Sequence, residues 1–254
     1  MVLSLDELKI IADEKGFSLP LIEKDYLITH LLFLLKNIQG IYFKGGTALN
    51  KIFLDHARLS EDIDFSTNRN IHFIEKEIRG SLKNTIFKEI THDKKVDKFI
   101  RLIVHYKLFH EKGTIFIDLN ERSQMILEPE KKEIIHFYED IPKFEIKIIN
   151  SEELIAEKIA AAIGRNKPRD HFDIYQIIKH ELPINMILVK KKCEQSGLEY
   201  DLIKMFNQAK KLNKRWNEDL IFLLKEEVTF EEVMKTLAKH FKLKEEKGNK
   251  KNSN

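Results

Sequence analysis

The stretch from Ile41 to Phe65 constrains this chain more than any other. It reads as a short apolar strand, a glycine pair (Gly45, Gly46) opening a helix, a loop, and a second strand carrying Asp62 and Asp64. One apolar residue separates the aspartates. In an extended segment side chains alternate faces, so both carboxylates point one way while Ile63 and Phe65 point into a core. Like charges side by side repel, and a cation between them relieves the cost. A divalent metal is the economical candidate, and the stretch reads as a metal-dependent phosphoryl-transfer site. The simpler alternative is an Asx-turn at Ser60-Glu61-Asp62 with a chance surface aspartate beyond it. Mg²⁺ needs only a few carboxylates plus substrate phosphates, which suits so spare a site.

The glycine pair lies in Lys44-Gly45-Gly46-Thr47, which is neither a P-loop nor a dinucleotide fingerprint. Two glycines between strand and helix let backbone N–H groups approach an anion at the helix N-terminus, although a tight turn alone accounts for them. Lys44 and Arg58 flank the motif as candidate phosphate contacts or as ordinary solvated charges. A third carboxylate, Asp118, interrupts the apolar run Ile115 to Leu119. It is expensive there unless metal-bound or paired, and Arg101 and Arg122 are the candidate ion-pair partners. Lys158 stands on an Ala/Ile-rich helix and needs an anionic partner. Asp170 and Asp173, three residues apart on one helical face, can supply it across a helix hairpin, and the same pairing could present Lys158 to phosphate.

Ser4 with Glu7 forms a capping box, Leu5, Leu8, Ile10 and Ile11 give the first helix its apolar stripe, and Gly16 stops it. A nearly all-apolar helix follows from Pro20 to about Asn37 and should be buried on most sides. Helical spacing covers residues 71–90. Phe99 to Phe109 alternates as a strand, 110–113 reads as a hairpin loop, 114–120 as the returning strand and 144–149 as a further strand. From Ser151, expected as an N-cap, the chain turns helical, with a break at Gly164 to Pro168 and a new helix from about Arg169. Further helices are expected at about 184–195, 198–212, 215–226 and 230–241. The expected organisation is an α/β core with N-terminal helices over 1–150, a helical part over 151–241 that completes a shared cleft, and a disordered tail over 242–254.

With 254 residues the chain can bury a substantial core, and 43% hydrophobic content is in the globular range. Lys+Arg 44 against Asp+Glu 41 leaves only +3, so any basic surface must be local. A lone cysteine, Cys193, excludes an internal disulfide framework and suits a reducing cytosol. No signal peptide is expected, because Asp6 and Glu7 precede any apolar run. The most apolar segment, Leu27 to Leu35, is too short to span a membrane. A cytoplasmic protein without membrane contact is the expectation.

Phe43 to Lys51 followed by Arg58 to Phe65 resembles the AbiEii/AbiGii toxin family of nucleotidyltransferases, within the DNA polymerase β-like superfamily. Three more blocks agree in order: Ile22 to Leu27, Ile117 to Leu119, and Glu153 to Lys158 with Arg165, Lys167 to Asp170 and Asp173 to Tyr175. The family often places a lysine two residues before the third carboxylate, where this chain has Phe116. The resemblance implies an α+β fold, with a polymerase β-like core of mixed or antiparallel sheet flanked by helices, then a helical C-terminal part. It implies a Mg²⁺- or Mn²⁺-dependent enzyme moving a nucleoside monophosphate from an NTP to an acceptor hydroxyl, with the tRNA 3′ end as expected acceptor. Asp62, Asp64 and Asp118 would hold metal, with Asp118 on a second ion or on the acceptor's proton. Gly45, Gly46, Thr47 and Lys158 would hold the triphosphate and Asp173 would line the site, with Arg169 and Asp170 supporting. The implied biology is a toxin of a toxin–antitoxin or abortive-infection system with a cognate antitoxin. A protein or small-molecule acceptor, or a non-catalytic nucleotide-binding module, are the competing readings.

Overall fold

In the computed structural model, which describes residues 3–109, 111–122 and 124–243, local chemistry starts the fold at its first helix. Helix α1 (Leu5–Lys15) opens on a complete capping box between Ser4 and Glu7 and closes on Gly16 in the left-handed conformation. Leu8 and Ala12 are its buried residues, while Ile10, counted in the stripe from sequence, is exposed. Helix α2 (Leu19–Leu35) is buried on nearly every side from Leu21 to Leu35. Because it is enclosed, its few polar groups must find partners inside the protein.

They do so through the next elements, strand β1 (Ile41–Lys44) and helix α3 (Gly45–Ile52). Lys51 on α3 reaches Asp25 on α2 at 2.7 Å, and Tyr138 donates its hydroxyl to the same carboxylate at 2.9 Å. Lys24 on α2 pairs with Glu61 at 3.6 Å, immediately ahead of strand β2 (Asp62–Thr67). Helix α4 (Ile71–Leu82) then ends eight residues before the expected boundary. The Thr85 hydroxyl donates to the Leu82 carbonyl at 2.8 Å and accepts from Phe87 N–H at 3.1 Å, turning the chain out of the helix. Residues 89–96 form strand β3 (Glu89–Val96) rather than more helix.

Strands β4 (Phe99–Leu108) and β5 (Glu111–Asn120) form a tight hairpin, with Leu108 opposite Glu111. The returning strand thus starts three residues earlier than expected, and His110 lies outside the described residues. Strands β6 (Glu130–Glu133) and β7 (Glu145–Ile148) pair antiparallel. Among the described residues these strands make one sheet in the order β3-β4-β5-β2-β1-β7-β6. It is mixed: β2 runs parallel to β5 and β1 parallel to β7, and the other neighbours are antiparallel. One face is apolar throughout, carrying Phe43, Ile63, Phe65, Leu102, Val104, Ile117 and Leu119 at 0% exposure. The alternation forces the intervening residues, Asp62, Asp64, Phe116, Asp118 and Arg101 among them, onto the other face.

The loop from α3 to β2 is held by buried groups. His56, in the left-handed region at φ 52°, is 1% exposed and packs tilted against Phe137, with ring centroids 4.4 Å apart. Neither of its ring nitrogens has a hydrogen-bond partner among the described residues. Burial, reinforced by Lys51, pushes the imidazole down to about 3, against the pull of Asp25, with His136 and Lys15 also facing it. His56 is therefore neutral in the fold and takes up a proton on unfolding below its ordinary value of about 6.5. The folded pKa is depressed, so stability is lost as pH falls from about 6.5 toward 3, by up to about 1.4 kcal/mol per pH unit. Burial lowers His136 too, which acts in the same sense. The expected result is a urea midpoint that drops between pH 6.5 and 5, with a shallower drop in His56→Asn, read from denaturation curves at fixed ionic strength.

The chain divides into two compact units, Met1–Ser151 and Glu152–Asn254. The second contains α5 (Ser151–Gly164) beyond its first residue, α6 (Pro168–Lys179), α7 (Met186–Gln195), α8 (Ala209–Asp219) and α9 (Phe230–His240), with 3-10 turns at Leu202–Phe206 and Ile221–Leu223. Ser151 lies inside α5 and donates its hydroxyl to Glu130, so it is not the cap expected of it. The helices expected at 198–212 and 215–226 are replaced by α8, which spans the gap between them. Leu212 and Trp216, one turn apart and both buried, set its inward face, and Trp216 donates its indole N–H to Val228 O at 3.0 Å. Of the expected tail 242–254, residues 244–254 lie outside the described residues. No described helix is long and apolar enough to cross a membrane.

Candidate active site

Register across four strands builds the polar face of the first unit. Lys44 on β1 lies opposite Asp64 on β2, Asp64 opposite Asp118 on β5, and Asp118 opposite Arg101 on β4. Directly opposed residues share a face, so the four form one row of charges across the sheet: cation, two carboxylates, cation. Asp62 and Phe116 make the adjacent pair on the same face. Asp62 and Asp64 are half-buried beside the fully buried Ile63 and Phe65, as the alternation requires.

Gly45 opens α3 at φ +81°, a conformation that favours glycine, and a Cβ there would lie 2.2 Å from Asp64 Oδ2 and 2.9 Å from its Cγ. The Asp64 carboxylate thus lies against the first residue of the helix. Thr47 is buried, and its hydroxyl donates to the Asp62 carbonyl at 2.5 Å. That hydroxyl ties α3 to the aspartate strand, so what the glycine turn offers an anion is its backbone N–H groups. Asn50 extends the brace: its amide donates to Gly46 O at 3.0 Å and its oxygen accepts from Arg58 N–H at 3.1 Å.

Arg58 is not the exposed phosphate contact expected of it. It is 3% exposed, and its guanidinium donates to Leu59 O at 3.0 Å and Ser60 Oγ at 2.9 Å. Its role is to shape the loop that delivers Asp62. Asp118 accepts from Arg101 through both oxygens, Nε to Oδ1 and Nη2 to Oδ2, each at 2.7 Å. The ion-pair alternative is therefore realised, with Arg101 as partner, and Arg122 instead donates to the Asp97 carbonyl. The Asp118 hydrogen bonds hold the guanidinium further above its ordinary pKa, with Asp62 and Asp93 adding to the effect.

The second unit contains its own buried charge cluster. Lys158, 7% exposed, reaches Asp170 Oδ1 at 3.0 Å and Asp173 Oδ2 at 2.9 Å. Arg165 adds its Nε to Asp170 Oδ2 at 2.9 Å. Burial would raise the Asp170 carboxyl, but Lys158 and Arg165 outweigh it and hold it well below the usual carboxylate range. Arg169 donates to Asp219 O at 3.1 Å, joining α6 to the end of α8. A further cluster, Lys192 with Glu153 and Glu157, was not anticipated from sequence. Its signal in the sequence is a pair of glutamates four apart on α5 and a lysine run on α7, each indistinguishable there from a solvated helix face.

Among the described residues no three His, Cys, Asp or Glu side chains converge as a metal cage. Two carboxylates on one sheet face beside a helix N-terminus nonetheless suit a hard divalent ion that takes its remaining ligands from water and substrate phosphates. The residues fit such an ion at Asp62 and Asp64. Asp118 fits less well, because both its oxygens are engaged.

Several solved structures share the fold, three of them as follows. JHP933 from Helicobacter pylori matches at TM-score 0.62 and 23% identity, covering 93% of this chain and 97% of that one. A structure described as a putative nucleotidyltransferase from H. pylori matches at TM-score 0.63 and 23% identity, covering 92% and 98%. MenT4, a nucleotidyltransferase toxin from Mycobacterium tuberculosis, matches at TM-score 0.64 and 19% identity, covering 93% and 99%. No curated protein sequence matches. The family described as "Nucleotidyl transferase AbiEii toxin, Type IV TA system" matches residues 31–239, which take in the glycine turn, all three strand aspartates and the Lys158 cluster. The chain belongs to the AbiEii nucleotidyltransferase toxin family of type IV toxin–antitoxin systems.

Proposed function

We propose that this toxin transfers a nucleoside monophosphate from an NTP to the 3′ hydroxyl of tRNA, with Mg²⁺ or Mn²⁺ held by Asp62 and Asp64. The observation that carries the reading is the placement of Asp62 and Asp64 on one sheet face, with the Asp64 carboxylate against Gly45 at the start of α3. A bound divalent ion would neutralise charge on the triphosphate and its leaving group. The protein's own contribution is positioning. Backbone N–H groups of Gly45, Gly46 and Thr47 face the triphosphate, and Lys44 adds positive charge from the same row. Asp170 and Asp173 hold the Lys158 ammonium, and Arg169 braces the helix that carries them. The acceptor oxygen attacks the α-phosphorus, the bond to the β-phosphate oxygen breaks, and pyrophosphate leaves while the hydroxyl proton passes to solvent. As a type IV toxin the protein implies an antitoxin partner.

The test incubates purified protein with each labelled NTP, Mg²⁺ and total tRNA. The expected result is label on the RNA 3′ end with one preferred nucleotide. Label on protein or on a small molecule would move the acceptor to that class. No transfer to any cell component would exclude the enzymatic reading.

A further inference from the structure

Arg101 occupies a place that bears on how many metal ions the site can hold. It stands directly opposite Asp118 in the β4–β5 register, so the pair forms without distortion of either strand. Each Asp118 oxygen accepts one bond at 2.7 Å, the fork-to-fork geometry of a strong pair. The guanidinium also lies 5.3 Å from the centre of the Phe116 ring, within the range of a cation–π contact. Asp93 approaches its far nitrogen at 3.8 Å. Arg101 is thus held by a carboxylate, an aromatic face and a second carboxylate.

A second divalent ion bridging Asp64 and Asp118 would have to displace one of these bonds and settle beside a fixed guanidinium. Like charges so placed repel strongly in a partly desolvated site. Resting on the metal-dependent reading above, we propose that Arg101 is a positioning residue that takes the place of a second metal. It neutralises Asp118 and confines divalent-ion binding to one ion at Asp62 and Asp64. Replacing Arg101 then opens Asp118 as a ligand.

The test is a Mn²⁺ titration of the full chain followed by electron paramagnetic resonance, with Mn²⁺ alone and with added pyrophosphate. Two ions in a shared site lie about 3.5–4 Å apart and broaden each other's spectrum, which a single ion does not. The wild-type protein is expected to bind one Mn²⁺ with an uncoupled spectrum, and Asp64→Asn none. Arg101→Met, which keeps an unbranched chain over Phe116 without charge, is expected to bind two with a coupled spectrum. Adding Asp118→Asn to it should return the count to one. Arg101→Lys, which keeps the charge without the fork, should stay at one. A coupled pair in the wild type that Asp118→Asn abolishes would overturn the role of Arg101 while leaving the metal site intact. So would a single ion in Arg101→Met, provided that variant melts as the wild type does; a destabilised one is replaced by Arg101→Gln for the same measurement. No bound Mn²⁺ in the wild type under either condition would overturn the metal site itself, and this proposal with it.

Discussion

Asp64→Asn is expected to lower nucleotidyl transfer by at least about a hundredfold, the order seen when one preorganised electrostatic group is removed from a site of this kind. The same protein should melt close to the wild-type temperature. The reasoning is that the Asp64 charge is repelled by Asp62 and Asp118 and attracted by Lys44 in the same row, so the two effects of removing it offset each other. Asn has nearly the shape of Asp and leaves the close approach to Gly45 unchanged. Asp62→Asn should behave alike. Gly45→Ala should also lose activity, but through geometry: its Cβ would lie 2.2 Å from Asp64 Oδ2, at a φ that alanine disfavours. Transfer rates measured beside thermal melts separate the two causes. Activity of Asp64→Asn within a few-fold of wild type would remove Asp64 from the metal site.

The largest expected loss of stability lies away from the chemistry, at Lys51→Met. Lys51 and Asp25 are 1% exposed each, and they join α3 to α2 with Tyr138 and Thr29 completing their hydrogen bonds. Burial opposes charge on Asp25, and Lys51 overcomes it, leaving the carboxyl below its ordinary value. Without Lys51 a buried carboxylate keeps no cation, a change that costs about 3–5 kcal/mol. In a domain of this size that corresponds to a melting temperature lower by roughly 6–20 °C. Without its cation, Asp25 is raised by burial instead. A raised carboxyl contributes stability that is present at low pH and lost as pH rises through its folded value. Lys51→Met should therefore be closest to wild type near pH 4–5 and furthest from it near pH 8. The double variant Asp25→Leu with Lys51→Met should recover much of the loss. A double variant as unstable as the single one would show that packing at the α2–α3 contact, and not the uncompensated charge, carries the effect.

Much of the candidate site was legible because it is written in local periodicity. The alternation in Asp62 to Phe65 predicts which side chains face the core, and burial of Ile63 and Phe65 follows it. The capping box at Ser4 and the stop at Gly16 are equally local. Strand β3 is not legible in the sequence because its residues 89–96 are mostly polar and exposed at a sheet edge, where no apolar alternation is required, and a register shift near His92 further blurs the pattern. Helical spacing in residues 71–90 also runs past a turn that only the Thr85 side chain reveals. The bounds of helix α8 are hidden for a related reason: its charged surface conceals that Leu212 and Trp216 are its buried residues.

The sequence by itself determined the chemistry of this protein: two carboxylates on one strand face, a glycine turn before a helix, a third carboxylate in an apolar strand, and a buried lysine with two aspartates. These follow from residue type and from periods of two and 3.6, which need no knowledge of distant neighbours. Tertiary structure alone decided what each charge meets. Arg101 and Arg122 were equal candidates for Asp118 until the β4–β5 register placed Arg101 opposite it. Arg58 reads as a surface cation in the sequence, but the loop folds over it, and the hydroxyl of Thr47, though not its backbone N–H, is taken up by the Asp62 carbonyl. Pairing and burial depend on which strands become neighbours, and that is a property of the whole sheet rather than of any segment within it.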